Sequence, residues 1–258
     1  MWKYGFASTV GSAHARSSVP GQDFCHALIV NNARGEEVLV AVASDGAGSA
    51  NQGQIGSKLA CDLFVSEVNS YFANGGAMDR FADGFIGTWI NKFQQLVTDK
   101  SDLDGVKLQD FACTLLAAVV GREHGIYFQI GDGAIVTSLR DEQDKYRCVW
   151  WPQQGEYANT TNFLTDTDAA EKIYYELRHN AVDEVALFTD GIQSMVLDYR
   201  TKSAHSPFFA PLFAWLRARP GGYSRELSDS LAAYLASEKI NARSDDDKTL
   251  ILATRRNC

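Results

Sequence analysis

Apolar runs of strand length alternate with polar breaks along this chain. Near the start, "WKYGFASTV", "FCHALIVNN" and "EVLVAVAS" carry the β-branched and aromatic content of strands. The turn signal "NNARGE" lies between the second and third, and predicts that these two pair as a hairpin. The period then changes. Ile55, Leu59, Leu63, Val68 and Phe72 recur at near-helical spacing, with Asn51 as the expected cap and "NGG" as the stop. Phe81, Phe85, Trp89 and Phe93 repeat every fourth residue and predict an amphipathic helix. From Phe111 strand patterns return as "FACTLLAAVV", "GIYFQIG", "GAIVTSLR" and the weaker "YRCVWWP", with "GREHG" and "GDG" as turns. Residues 153–168 are polar and rich in Thr and Asn, which predicts a long loop of the kind that often carries function. A strand at "EVALFTDG", helical patterns over 208–216 and 227–235, and a last strand at "KTLILATR" complete the chain.

Strands therefore come in runs, with helices between the runs. A doubly wound parallel sheet would alternate strand and helix regularly. The order predicts an α+β fold, a sandwich of antiparallel sheets with helices packed outside. No repeat, low-complexity stretch or linker divides the chain, so residues 1–258 read as one domain.

Composition narrows the partners. The 258 residues are 45% hydrophobic and 22% charged, enough for a substantial core. A net charge of -8, with no Lys/Arg run, argues against nucleic acid and anionic membranes as partners. No apolar run reaches membrane-spanning length, and "MWKYGFASTVGSAHA" lacks the design of a secretory signal. The 5 cysteines are scattered without a CxxC pair, as reduced thiols of a cytoplasmic protein would be. The glycosylation-like "NTT" at Asn159 has no secretory context to give it meaning.

One junction recurs. An apolar strand runs into Asp-Gly in "VAVASDG" at Asp45, "IYFQIGDG" at Asp132 and "VALFTDG" at Asp190, and the acidic cluster "SDDDKTLILA" opens the last strand. A single Asp-Gly reads first as a turn, and Asp83-Gly84 and Asp104-Gly105 are expected to be turns. Four strand ends can bring their carboxylates together at one end of a sandwich. Their mutual repulsion would call for hard divalent cations held by oxygen. Phosphate-loop alternatives fail. A Walker loop needs Gly-Lys-Ser/Thr where Gly53 and Gln54 stand, and a dinucleotide fingerprint needs a third glycine where Asn51 stands. Neither GxSxG nor HExxH occurs.

In this arrangement the sequence resembles the metal-dependent type 2C serine/threonine protein phosphatases, most closely their compact bacterial branch. The resemblance rests on "PGQDF", "ASDGAG", "FACTLLAAVV", "IGDGAIV", "FTDGI" and "DDKT", six motifs in the family's order across nearly the whole chain. It implies a four-layer α-β-β-α sandwich, two antiparallel sheets flanked by helix pairs. It also implies two tightly bound Mn2+ or Mg2+ ions at one end of the sandwich. By position, Asp45 would bridge both metals and the Gly46 carbonyl would hold the second. Asp190 and Asp246 would hold the first, Asp23 would contact metal-bound water with Gln22 beside it around the metals, and Asp132 would sit beside a weaker third ion. Two ions about 3.5–4 Å apart would supply a bridging hydroxide for in-line attack on phosphorus. The implied substrate is a phosphoprotein, with a Ser/Thr kinase or its targets as partners.

Three departures stand out. The family's usual Glu before Asp23 is Gln22; the histidine that follows Asp-Gly in eukaryotic members is Ala47; and Ser18 holds the place of a phosphate-gripping Arg. Arg16 and His14 are the candidates to contact phosphate instead. Arg16 reads equally as a solvated surface charge, and His14 as a structural, hydrogen-bonded histidine. A second reading of the chain is a non-catalytic, phosphatase-fold binding module in a kinase signalling system. Neutral Gln22 favours that reading, whereas Asp45, Asp190 and Asp246 favour the enzyme, because buried carboxylates are costly without a task.

Overall fold

The computed structural model describes residues 1–153 and 161–257. One sheet contains, in spatial order, β12 (Gly222–Tyr223), β1 (Lys3–Thr9), β13 (Lys248–Thr254), β9 (Val182–Phe188), β6 (Ala134–Leu139) and β7 (Arg147–Cys148). The other contains β2 (Phe24–Asn31), β3 (Glu37–Ser44), β4 (Leu115–Val120), β5 (Gly125–Ile130) and β8 (Tyr174–Arg178). Neighbours run antiparallel except β1 with the two-residue β12. A separate short ladder joins β10 (Leu197–Asp198) to β11 (Ser203–Ala204). The helices are α1 (Ser12–Ser17), α2 (Gly53–Ala73), α3 (Met78–Asp104), α4 (Ala169–Lys172), α5 (Gln193–Val196), α6 (Ser206–Arg217), α7 (Arg225–Leu235) and α8 (Glu238–Asn241).

The continuous apolar strands follow from burial on both faces, since successive side chains of a strand point to opposite sides. In β3, Leu39, Ala41 and Ala43 enter the layer between the sheets, where Ile135, Val185, Leu187 and Ile251 come from the other sheet. Val38, Val40 and Val42 point the other way, onto Phe64, Trp89 and Phe93 of α2 and α3. In β13, Ile251 and Ala253 face inward, while Leu250 and Leu252 meet Phe209 and Phe213 of α6 and Leu227 and Leu231 of α7. Two sheets and two helix pairs thus enclose three apolar layers. Truncating a ring such as fully buried Phe64 to alanine would cost about 3–5 kcal/mol.

The expected hairpin forms, with Phe24 opposite Ser44 and Asn31 opposite Glu37. Four local expectations are corrected. Asn51 does not cap α2: its amide bonds Asp110 at 3.1 Å, and Gln52 stands at the cap without a side-chain bond. Asp83-Gly84 lies inside α3, whereas Gly105 ends that helix in the left-handed region at φ 66° as expected of a terminating glycine. "GDG" is not a hairpin turn, because β5 and β6 belong to different sheets and residues 131–133 cross from one to the other. "YRCVWWP" contributes only the two-residue β7. Within the expected loop at 153–168, residues 154–160, with the sequon at Asn159, lie outside the described residues. Among the described residues no helix is long and apolar enough to cross a membrane, and Cys25, Cys61, Cys113 and Cys148 are free thiols.

Candidate metal centre

Asp45 follows the last residue of β3, and its position is fixed by the residues that lead into β4. Its N–H donates to Thr114 Oγ1 at 3.0 Å, and the Thr114 N–H donates back to the Asp45 carbonyl at 2.8 Å. Gly46 bridges to Cys113, and its N–H donates to the Gln22 carbonyl at 3.1 Å. A side chain at Gly46 would stand 2.5 Å from the Gly53 backbone, so this position needs glycine for close approach rather than for a turn. Asp190 follows β9 and opens a single 3-10 turn over Asp190–Ile192. The next glycine, Gly191, lies against the Asp247 carbonyl, where a Cβ would approach to 1.9 Å. The Asp-Gly pairs of β3 and β9 are therefore packing devices that hold a carboxylate at a strand end.

These ends converge. Asp45, Asp132 and Asp190 each present a carboxylate oxygen within 4.8 Å of the others, a spacing that can hold a metal ion, and all three are half-buried and open to solvent on one side. Asp132 arrives on the crossover between the sheets and accepts a 2.5 Å hydrogen bond from Thr161 Oγ1. Asp246 stands at the margin, exposed, outside that trio of oxygens, and its charge is felt by both Asp45 and Asp190. The compact group thus takes in Asp132, expected beside a third ion, before Asp246.

Behind this face lies Asp23. Its Oδ2 accepts from Thr189 Oγ1 at 2.7 Å and from Thr249 Oγ1 at 2.8 Å, which ties β2 to the ends of β9 and β13. Asp247, which the sequence reading passed over, is the other anchor. Its side chain is buried and accepts from the Gly11 N–H at 2.6 Å and the Gln22 N–H at 2.5 Å, and it lies 3.0 Å from His14 Nδ1. Within "DDKT" nothing in the residue types separates Asp247 from Asp246; in the fold the following Lys248 and Thr249 are also buried, so the chain turns inward there. The fully buried Lys248 ammonium donates to the Asp246 carbonyl at 2.7 Å and to Asn241 Oδ1 at 3.0 Å, holding Asp246 from behind. His14 is thus a partner of Asp247. Arg16 is exposed on α1, bonded to Ser12 Oγ at 3.3 Å and 3.5 Å from Asp245. Gln22 is buried; its Nε2 donates to the Ala50 carbonyl at 2.9 Å.

The electrostatics are those of a cation site. Burial, reinforced by the Asp23 and Asp190 charges, drives the Asp45 carboxyl well above the usual carboxylate range. Burial also pushes Asp23 up to about 6, and burial together with Asp132 and Asp246 pushes Asp190 up to about 7. Asp45 is within hydrogen-bonding reach of both neighbours, contacts that two ionised carboxylates cannot share without a proton or a cation. Asp23 Oδ1, Asp190 Oδ1 and Gln22 Oε1 are buried with no hydrogen-bond donor among the described residues. Buried acceptor oxygens normally find a partner. Three orphaned oxygens around one acidic group are donors of the kind that hard divalent cations take.

The family model described as protein phosphatase 2C matches residues 10–236. The chain belongs to the protein phosphatase 2C family. It is 34% identical over 254 residues to serine/threonine-protein phosphatase 3 of Escherichia coli, with 98% of each chain covered. A solved serine/threonine phosphatase of Staphylococcus aureus superposes with a TM-score of 0.64 at 17% identity, covering 100% of this chain and 96% of that one. PppA of Pseudomonas aeruginosa superposes with a TM-score of 0.62 at 15% identity, covering 98% and 97%. At such identities the structural likeness speaks for the fold, an α+β sandwich of two antiparallel sheets with flanking helices, as the sequence predicted. For this phosphatase 2C chain, the acidic end of the sandwich is the place where family membership and local chemistry meet.

Proposed function

We propose that this chain is a metal-dependent hydrolase of phosphoserine and phosphothreonine in proteins. The observation that carries the reading is the group formed by Asp45, Asp132 and Asp190, whose ligand oxygens lie within 4.8 Å of one another beside orphaned buried oxygens of Asp23 and Asp190. The curated relative's name supports the Ser/Thr specificity. In this reading Asp45, the Gly46 carbonyl, Asp190 and Asp246 hold two Mn2+ or Mg2+ ions, and Asp132 holds a weaker third. When bound, such ions acidify water and neutralise phosphoryl oxygens.

The protein's own groups do the rest. Thr189 and Thr249 hold one oxygen of Asp23 by hydrogen bonds and leave the other free to accept a proton from water. Thr114 fixes the Asp45 backbone, so the carboxylate does not follow the substrate as charge develops. Thr161 orients Asp132. His14 is held against Asp247 and reaches phosphate only by giving up that bond, while Arg16 is tethered loosely at the surface; of the two, Arg16 is freer to meet a phosphate. The substrates belong to the cytoplasm and to a Ser/Thr kinase pathway, a reading that the free thiols support.

Phosphate release from matched phosphothreonine, phosphoserine and phosphotyrosine peptides tests this. The first two are expected to be hydrolysed and the third to lag, with Asp45→Asn inactive on all. Phosphotyrosine as the best substrate would overturn the specificity.

A further inference from the structure

An aromatic groove runs beside the acidic centre. Two cavities, of about 560 and 330 Å3, share Trp150 and Tyr174 in their walls. Trp151, Pro152, Gln153, Tyr199 and Lys202 complete the larger one, and the smaller extends along β8. Aromatic surface is left open to water here: Tyr174 is 46% exposed, Tyr175 53% and Tyr199 52%. The Trp151 and Tyr199 rings meet edge to face at 5.3 Å, and those of Trp150 and Tyr174 lie 5.8 Å apart.

The groove is joined to the metal centre by covalent and hydrogen-bonded links. Gln153, next to Pro152, donates its N–H to the Gly131 carbonyl at 3.2 Å, and its Oε1 accepts from the Gly131 N–H at 2.9 Å. Gly131 precedes Asp132. Tyr199 OH donates to Gln193 Oε1 at 2.6 Å, three residues beyond Asp190. Burial raises the Tyr199 phenol, and the charges of Asp190 and Asp132 raise it further, so the ring lies within electrostatic reach of both carboxylates. A phosphoresidue at the acidic end would have its flanking chain emerge along these rings.

We propose that this groove binds the stretch of phosphoprotein substrate flanking the phosphorylated residue. It selects an extended segment that carries proline or another apolar side chain together with an acidic residue. The inference rests on the phosphatase reading above. Aromatic walls take extended, proline-bearing chains because such chains lose little entropy on docking. β8 is the edge of its sheet and offers unpaired backbone groups beside the rings. Lys202 makes no ion pair among the described residues, so its ammonium is available for a carboxylate on the substrate.

The test uses the full chain with saturating Mn2+ and three substrates. These are p-nitrophenyl phosphate, a phosphothreonine peptide flanked by Pro, Leu and Glu, and the same peptide with Gly, Ser and Lys in those places. Fluorescence polarisation of the labelled peptides gives a readout independent of turnover. Wild type is expected to bind the first peptide more tightly and to favour it in kcat/KM. Tyr174→Ala and Lys202→Glu should each lower that preference about tenfold, the scale of one anchoring contact. Both variants should leave hydrolysis of p-nitrophenyl phosphate unchanged, and Lys202→Glu should improve the Lys-bearing peptide. Equal use of both peptides by wild type overturns the inference while p-nitrophenyl phosphate hydrolysis leaves the phosphatase reading intact. Substitutions that change only the sedimentation coefficient would assign the groove to contact between copies and also overturn it. Loss of all hydrolysis in wild type would sink the phosphatase reading itself.

Discussion

The Asp45 and Asp190 carboxylates come from the ends of strands in two different sheets, β3 and β9, and meet within a group whose ligand oxygens lie within 4.8 Å of one another. Neither sheet alone can make the site, so the packing of the sandwich and the chemistry are one problem. Asp45→Asn and Asp190→Asn each remove a negative charge from a crowded place. Turnover should fall roughly 100-fold or more, the scale of losing a group that organises transition-state charge. The melting temperature of the metal-free protein should stay level or rise, because repulsion is relieved. Kinetics and melts on one preparation check this; a well-folded Asp45→Asn with wild-type turnover contradicts it.

A pH dependence follows from the same crowding. Asp23 and Asp190 have carboxyls pushed up to about 6 and about 7, and burial raises Asp45 well above its ordinary value too. Unfolded, all three would titrate near the ordinary aspartate value of about 4. The folded metal-free protein therefore holds protons that the unfolded chain has released, and its stability falls as pH rises from about 4 through 7. Melting temperatures in excess chelator should be higher at pH 5 than at pH 8. Mn2+ should restore stability at pH 8 and do little at pH 5, where it competes with protons. A chelated protein more stable at pH 8 than at pH 5 contradicts the assignment.

Gln22 makes two opposed demands. Its Nε2 donates to the Ala50 carbonyl at 2.9 Å, and its Oε1 is buried without a donor. In Gln22→Glu a carboxylate oxygen would face that carbonyl, costing the metal-free protein roughly 1–3 kcal/mol. The added charge should meanwhile lower the Mn2+ concentration needed for half-maximal activity. A melt of the chelated variant and a Mn2+ titration read the two effects separately. A raised Mn2+ requirement would show that Gln22 does not face the ions.

Asp247 is the test of the scaffold. Its carboxylate receives the Gly11 and Gln22 N–H groups and lies beside His14. Asp247→Asn turns an amide toward one of these donors and should cost about 1.5–3 kcal/mol, the worth of a charge-assisted hydrogen bond. His14→Ala should cost less, since that ring is near the surface. Urea unfolding of the Mn2+-loaded protein gives both values, and equal losses would contradict the ranking.

Much of this was legible in the sequence because it rests on periodicity. Strands such as β3 and β13 are buried on both faces, so they read as unbroken apolar runs, and their Asp-bearing ends mark the candidate site. What escaped depends on tertiary contact. β8 reads "YYELR" and leaves its first three residues exposed, so it has no apolar face to announce it. Asp132 looked like a hairpin residue because sequence does not say which sheet the next strand joins. Asp247 carries no mark that distinguishes it from Asp246. Only the fold sends one carboxylate inward to backbone amides and leaves the other at the margin of the acidic group.

Metal dependence is the most direct measurement. Protein stripped with chelator and dialysed should not release phosphate from a phosphothreonine peptide, and Mn2+ or Mg2+ added back should restore turnover as the ions bind by calorimetry. Asp190→Asn should show weakened binding in the same titration. Full hydrolysis by the stripped protein, with no bound metal detected by elemental analysis, would contradict the account.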